Sequence, residues 1–140
     1  MVRKRSLARQ VAMKVLFQVA LVETDVQEAL EYFREDLDLD SSVMSFAREL
    51  VEGTKLHSEE IDKLLREYLE KWDLDRIGNV EKAILRLGTF ELLYRGEIPP
   101  SVTINEAVEL SKEYSSLSAG KFINGVLDRV AKKHAPAKAG

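Results

Sequence analysis

Apolar residues recur along this chain at the three-and-four spacing of one helical face, and the first such stripe is Leu7, Ala8, Val11, Ala12, Val15, Leu16 and Val19. No Gly or Pro interrupts it, so the spacing predicts a first helix. At about 100° per residue, Arg9, Gln10, Met13, Lys14 and Phe17 fall largely away from that stripe. Phe17 is thus a large aromatic among polar and basic neighbours, either a contact residue or a ring packed at the stripe's edge. Thr24 or Asp25 can accept from the free amides of a second helix running to about Arg34. Ser41 begins a third helix through about Leu56. Ser58, followed by Glu59 and Glu60, begins a fourth that ends near Trp72, with acids suited to the positive end of the helix dipole. Gly53 within the third helix costs roughly 1 kcal/mol against Ala, which points to close helix approach or a bend.

The fifth helix runs from about Asn79 to Arg95 and is apolar around most of its circumference, which makes it the central and most buried one. Glu91 shares its face with Val80, Ile84 and Leu87. A carboxylate there needs a buried partner, so it is a catalytic acid or, as we favour, a structural group bonded to backbone amides or an Arg. Pro99 and Pro100 close this helix off, and Thr103 with Glu106 three residues on reads as a capping box opening the sixth. Ser115, Ser116 and Ser118 form the next break. Ala119, Phe122, Ile123, Val126, Leu127, Val130 and Ala131 then define a seventh helix, and the tail after His134 is expected to be disordered. No stretch alternates with period two for long enough to argue a strand. The predicted architecture is all-α, about seven helices in two small packed bundles that share the central helix. The domain is expected to span 1–135, with subdomains of roughly 1–75 and 76–135 and a disordered tail over 136–140.

Composition narrows the function classes. At 140 residues the chain fits one domain with a real core and leaves no room for a second large catalytic one. It has no apolar run approaching the roughly eighteen residues that span a bilayer, and its basic start lacks a signal-peptide pattern. A cytoplasmic location with no membrane partner is expected. Zero Cys excludes disulfides, thiolate metal sites and cysteine nucleophiles. Charge is unevenly spread: residues 1–21 carry five basic groups and no acid, residues 22–75 carry 6 basic and 17 acidic, and residues 76–140 carry 10 basic and 7 acidic. A basic end on an acidic body argues for an anionic partner at one surface, or for a solvated basic tail.

Enzyme chemistry finds no support. A carboxylate-bridged metal site in a bundle needs Glu-x-x-His, but Thr54 precedes His57 by three and Ala131 precedes His134 by three. Two isolated His give no zinc spacing. Gly78, Gly88 and Gly125 stand alone, so no phosphate-cradling loop opens a helix. No metal, cofactor or catalytic residue is expected. What remains is the basic start, where Arg can fork onto phosphate while aromatic rings elsewhere stack on unpaired bases.

Three segments resemble the NusB family: RKRSLARQVAMKVLFQ at 3–18, DRIGNVEKAILRLGTFELLYR at 75–95, and IPPSVTINEAVELSKEYSSLSAGKFINGVLDRVA at 98–131. VEKAILRLG, TINEAVEL and KFINGVLD are the most specific runs, and the resemblance covers essentially the whole chain. It implies an all-helical transcription antitermination factor that binds single-stranded boxA-type RNA of nascent ribosomal-RNA transcripts. The implied partners are the small-subunit ribosomal protein that doubles as NusE and the transcription elongation complex. By position, Arg3, Lys4, Arg5 and Arg9 become the phosphate-contacting motif. Lys121 and Phe122 become a second RNA contact of charge and stacking ring, although periodicity alone places Phe122 in the core. Phe17 and Glu81 match positions near the RNA and NusE surface. The basic cluster departs from an all-Arg run at Lys4, which keeps the charge and loses the bidentate fork. Ser118 stands where some relatives have an acid.

Two rivals are weighed against this. A NusB-like domain also fronts certain ribosomal-RNA cytosine methyltransferases, but those need a cysteine nucleophile and a cofactor domain, and neither is in this sequence. A helical protein-interaction module or ribosome-biogenesis factor without sequence-specific RNA binding is the alternative that the acidic middle permits. Homodimerisation through helix one is a further possibility, since it could cover the same basic face.

Overall fold

The computed structural model describes residues 3–134. Within them seven helices follow one another: α1 (Lys4–Leu21), α2 (Val26–Leu37), α3 (Ser41–Leu56), α4 (Ser58–Tyr68), α5 (Asn79–Tyr94), α6 (Pro100–Tyr114) and α7 (Leu117–His134). The fold is all-α, as the apolar stripes predict. The expected tail over 136–140 lies outside the described residues. No helix among the described residues is long and apolar enough to cross a membrane.

Local chemistry sets the boundaries. Asp25, rather than Thr24, caps α2 by accepting from the Glu28 amide at 3.2 Å, and the helix runs past Arg34 to Leu37. The α3 cap is Asp40, one residue ahead of Ser41, accepting from the Val43 amide at 3.0 Å. The fourth helix stops at Tyr68, short of Trp72. Leu69 and Leu74 are both buried, and the chain turns between them through Glu70 at a left-handed φ of 52°, which leaves Trp72 60% exposed. The sixth helix starts earlier than expected, because Pro100 sits in its first turn, where a missing N–H costs nothing. Thr103 is therefore inside α6 and is no cap. The seventh starts at Leu117, two residues before Ala119. Ser116 caps it with its hydroxyl oxygen, 3.0 Å from the Ala119 amide, and Ser118 lies within the helix instead of in the break.

Helix α5 touches α1, α3 and α4 as well as α6 and α7. Nine of its residues are buried, from Ala83 to Leu92, so the most apolar helix of the sequence is the one that others pack around. Two glycines permit this. A Cβ at Gly53 of α3 would stand 2.2 Å from Cζ of Phe90, and one at Gly88 of α5 would stand 2.8 Å from Cδ1 of Leu127 on α7. Close helix approach is thus the reason for Gly53, and the Phe90 ring occupies the space its side chain would need. Arg86 of α5 forks onto Asp62 of α4 at 2.8 and 2.9 Å and ties those helices at the surface.

Candidate nucleic-acid interface

The first turn of α1 concentrates positive charge where a helix least tolerates it. Lys4 and Arg5 are exposed, Arg3 is the N-cap residue without a side-chain capping bond, and no acid occupies the turn. Free amides at a helix start already carry partial positive charge, so these side chains raise the local potential rather than compensating it. An arriving anion finds both. Lys4 Nζ lies 3.3 Å from Asp40, with both side chains largely in solvent. Arg5 spreads over the ring of Phe46, its Cζ 4.4 Å from the centroid, and the guanidinium of Arg95 covers the same ring at 5.3 Å. Cation–π contact of this kind holds an Arg in place without neutralising it. A groove of about 410 Å³ runs from Arg3, Lys4 and Arg5 to Ile98 and Pro99 on the α5–α6 connection and Val102 of α6, with Glu97 and Glu106 also in its wall.

Arg9 behaves differently, and the expectation that it contacts phosphate is corrected. It is 3% exposed. Its Nε and Nη2 donate to the two carboxylate oxygens of Glu91 at 2.8 and 2.9 Å, and Nη1 donates to Glu106 at 3.1 Å. Thr103 adds its hydroxyl to Glu91 at 3.0 Å, and Ser6 donates to Glu106. Burial works against the charged guanidinium, but the hydrogen bonds and charge of Glu91, then of Glu106, outweigh it and hold the Arg9 pKa above its ordinary value. One cation facing two carboxylates offers nothing to an anion. The cluster instead locks α1, α5 and α6 together beneath the exposed basic turn. Glu91 has the Arg partner that its place on an apolar face requires, and the T-x-x-E pattern of Thr103 and Glu106 serves this cluster instead of a cap.

Helices α1 and α6 run alongside each other, joined near Glu106 by Ser6 and Arg9 and farther along by Lys14, whose Nζ sits 5.1 Å from the Tyr114 ring centre. The basic turn lies at one end of this seam. Lys121 and Phe122 lie on α7 toward the other end, next to Gly120, which packs against Val108, Ser111 and Lys112 of α6. Lys121 is exposed, whereas Phe122 is half-buried, packed against the core on one side and edge-to-face with Trp72 on the other at 5.5 Å and 65°. Phe122 thus joins the core, as its periodicity predicts, with part of its ring left accessible. Phe17 is half-buried against the core, as a ring at the stripe's edge would be. Glu81, in the first turn of α5, accepts from Ser115 at 3.2 Å and pins the α6–α7 connection to the start of the central helix.

Sequence reasoning missed Phe46, Glu106 and Trp72. Phe46 and Glu106 lie on predicted helices, and only their tertiary neighbours reveal a role. Trp72 carried a usable signal: it is the single Trp, flanked by charged residues at a helix end.

Taken together, this is an all-helical protein with a locked core and a basic helix start, and among the described residues no cluster of His, Asp and Glu is arranged to hold a metal. Residues 6–132 match the NusB family, and the chain belongs to that family. It is 48% identical over 130 residues to the transcription antitermination protein NusB of Exiguobacterium sp., covering 93% of this chain and 98% of that protein. The corresponding protein of Halalkalibacterium halodurans is 42% identical over 132 residues, covering 94% and 96%. Among solved structures, T. maritima NusB superposes with a TM-score of 0.88 at 42% identity, covering 97% of this chain and 96% of that one. A crystal structure of the antitermination factors NusB and NusE in complex with double-stranded RNA matches with a TM-score of 0.87 at 32% identity, covering 96% and 100%. The family's curated members are transcription antitermination proteins, and that is the class of this chain.

Proposed function

We propose that this antitermination factor binds the boxA element of ribosomal-RNA transcripts jointly with a NusE-type ribosomal protein, in the cytoplasm and within an elongating transcription complex. The observation that carries the reading is the exposed basic first turn of α1. Lys4 and Arg5 add their charge to the helix dipole, and Arg3 stands beside them at the helix start. Its support from relatives is the solved NusB–NusE–RNA assembly, whose fold this chain shares. Phosphate contact falls to Arg3, Lys4 and Arg5, and a second contact to Lys121 with Phe122. Arg9 supports them from below. Phe17 and Glu81 are assigned to the NusE-facing side. The alternative, a protein-interaction module, draws on the acidic residues of α2 to α4.

Two modest basic surfaces joined on one RNA act with raised effective concentration, so the partner should tighten RNA binding. The test is a titration of boxA-like and scrambled single strands, with a duplex arm, in the presence and absence of the NusE-type protein. Preferential binding of the boxA-like strand, strengthened by the partner, is the expected result. Equal and weak binding of all RNAs under every condition hands the function to the protein-interaction alternative.

A further inference from the structure

We propose that Trp72 is the exposed base-stacking ring of the RNA surface, backed by Phe122 and flanked by Lys121, and that it receives one unpaired base of the bound strand. This rests on the RNA-binding reading above and sharpens it, because the ring best placed to stack is one that no resemblance singled out. Phe122 is half-buried and spends one side on the core, so it has limited face to offer. Trp72 is 60% exposed, in a turn anchored on either side by the buried Leu69 and Leu74. The anchors hold the indole out of the core while the edge-to-face contact with Phe122, at 5.5 Å and 65°, fixes its orientation. The two rings make an open corner rather than a closed sandwich.

Charge around the corner suits a phosphate strand. Lys121 and Lys71 are exposed, and neither has a carboxylate within salt-bridge distance among the described residues. Two of the nearby acids are paired, Asp73 with Arg76 at 3.7 Å and Asp75 with Arg66 at 3.3 Å, while Glu70 on the other side of the turn is exposed with no salt-bridge partner among the described residues. A flat π face beside free lysines is what a single strand uses, since every base can stack and every phosphate can pair. The corner is also continuous with the Lys121–Phe122 contact. Trp72 and Phe122 then divide the work, one stacking and the other positioning.

Trp72 is the single tryptophan, so its emission reports on this site alone. Binding of a fluorescein-labelled boxA-like single strand is followed by anisotropy, and intrinsic emission is followed in a parallel titration with unlabelled strand. We expect the emission to be quenched along the anisotropy curve and acrylamide access to Trp72 to fall in the complex. Trp72→Leu should weaken RNA binding roughly 10-fold, with the salt dependence and the melting curve unchanged, and Trp72→Phe should restore most of the loss. If anisotropy saturates while Trp72 emission and access stay constant and Trp72→Leu binds like the parent, the Trp72 assignment fails and the RNA reading survives. If the NusE-type protein shields Trp72 and RNA does not, the corner is a protein contact and the assignment fails. No anisotropy change with any RNA, with or without the partner, overturns both.

Discussion

Arg9 and Glu91 meet in a two-pronged fork, 2.8 and 2.9 Å long, that joins the first helix to the central one across 82 residues of sequence. Both side chains are almost wholly buried, and Glu106 and Thr103 take up further hydrogen-bonding capacity. Two buried charges contribute little net stability as a pair, but each becomes costly when the other is removed. Glu91→Ala and Arg9→Ala should each therefore destabilise the fold by about 3–5 kcal/mol, while the double variant loses clearly less than the sum. Urea unfolding of the four proteins measures this. Additive losses would show that the two residues are not coupled.

Asp40 supplies a pH-dependent cap. Its carboxylate accepts from the Ser42 hydroxyl, the Val43 amide and Lys4, in that order of influence, and its pKa is lowered from 3.8 to about 2. A carboxylate with a lowered folded-state pKa adds stability that is fully present above its unfolded value and is lost as pH falls through the folded one. The difference in melting temperature between the parent and Asp40→Ala should hold steady from pH 7 to about pH 4 and close as pH approaches 2. A difference that closes above pH 5 would assign it to another group.

Gly53→Ala sets two effects against each other. Helix propensity favours Ala by roughly 1 kcal/mol. Against it, the new methyl would lie 2.2 Å from the Phe90 ring, which is buried and stacked on Tyr94 at 5.6 Å, and overpacking of this kind costs about 1–3 kcal/mol. The clash should win, giving a lower unfolding midpoint. A stabilised variant would mean that α3 and α5 separate easily.

Much of this was legible in the sequence. The seven helices follow from stripes such as Leu7 to Val19, and the burial of α5 from apolar residues around most of its circumference. Glu91 announced its need for a partner by standing on an apolar face. What stayed hidden depends on neighbours that periodicity cannot see. Arg9 falls on the polar side of its own helix, yet that side meets Glu91 and Glu106 of two other helices. Thr103 and Glu106 have the spacing of a capping box, and the same spacing serves equally well to aim two side chains at one guanidinium. Trp72 looks like the end of a helix until the burial of Leu69 and Leu74 shows the chain turning between them.

In the proposed complex a small set of exposed cations, and not Arg9, meets the phosphates of the bound RNA strand. Salt dependence counts them directly. With Arg3, Lys4, Arg5 and Lys121 neutralising three or four phosphates, the logarithm of affinity should fall against the logarithm of salt concentration with a slope of about −2 to −3, at roughly −0.7 per phosphate on a single strand. Arg5→Ala should flatten that slope by about 0.7 with the fold intact. Arg9→Lys, measured where the protein is still folded, should leave the slope as it was. A slope that Arg5→Ala leaves unchanged, or that Arg9→Lys flattens, would show that the exposed cations are not the phosphate contacts.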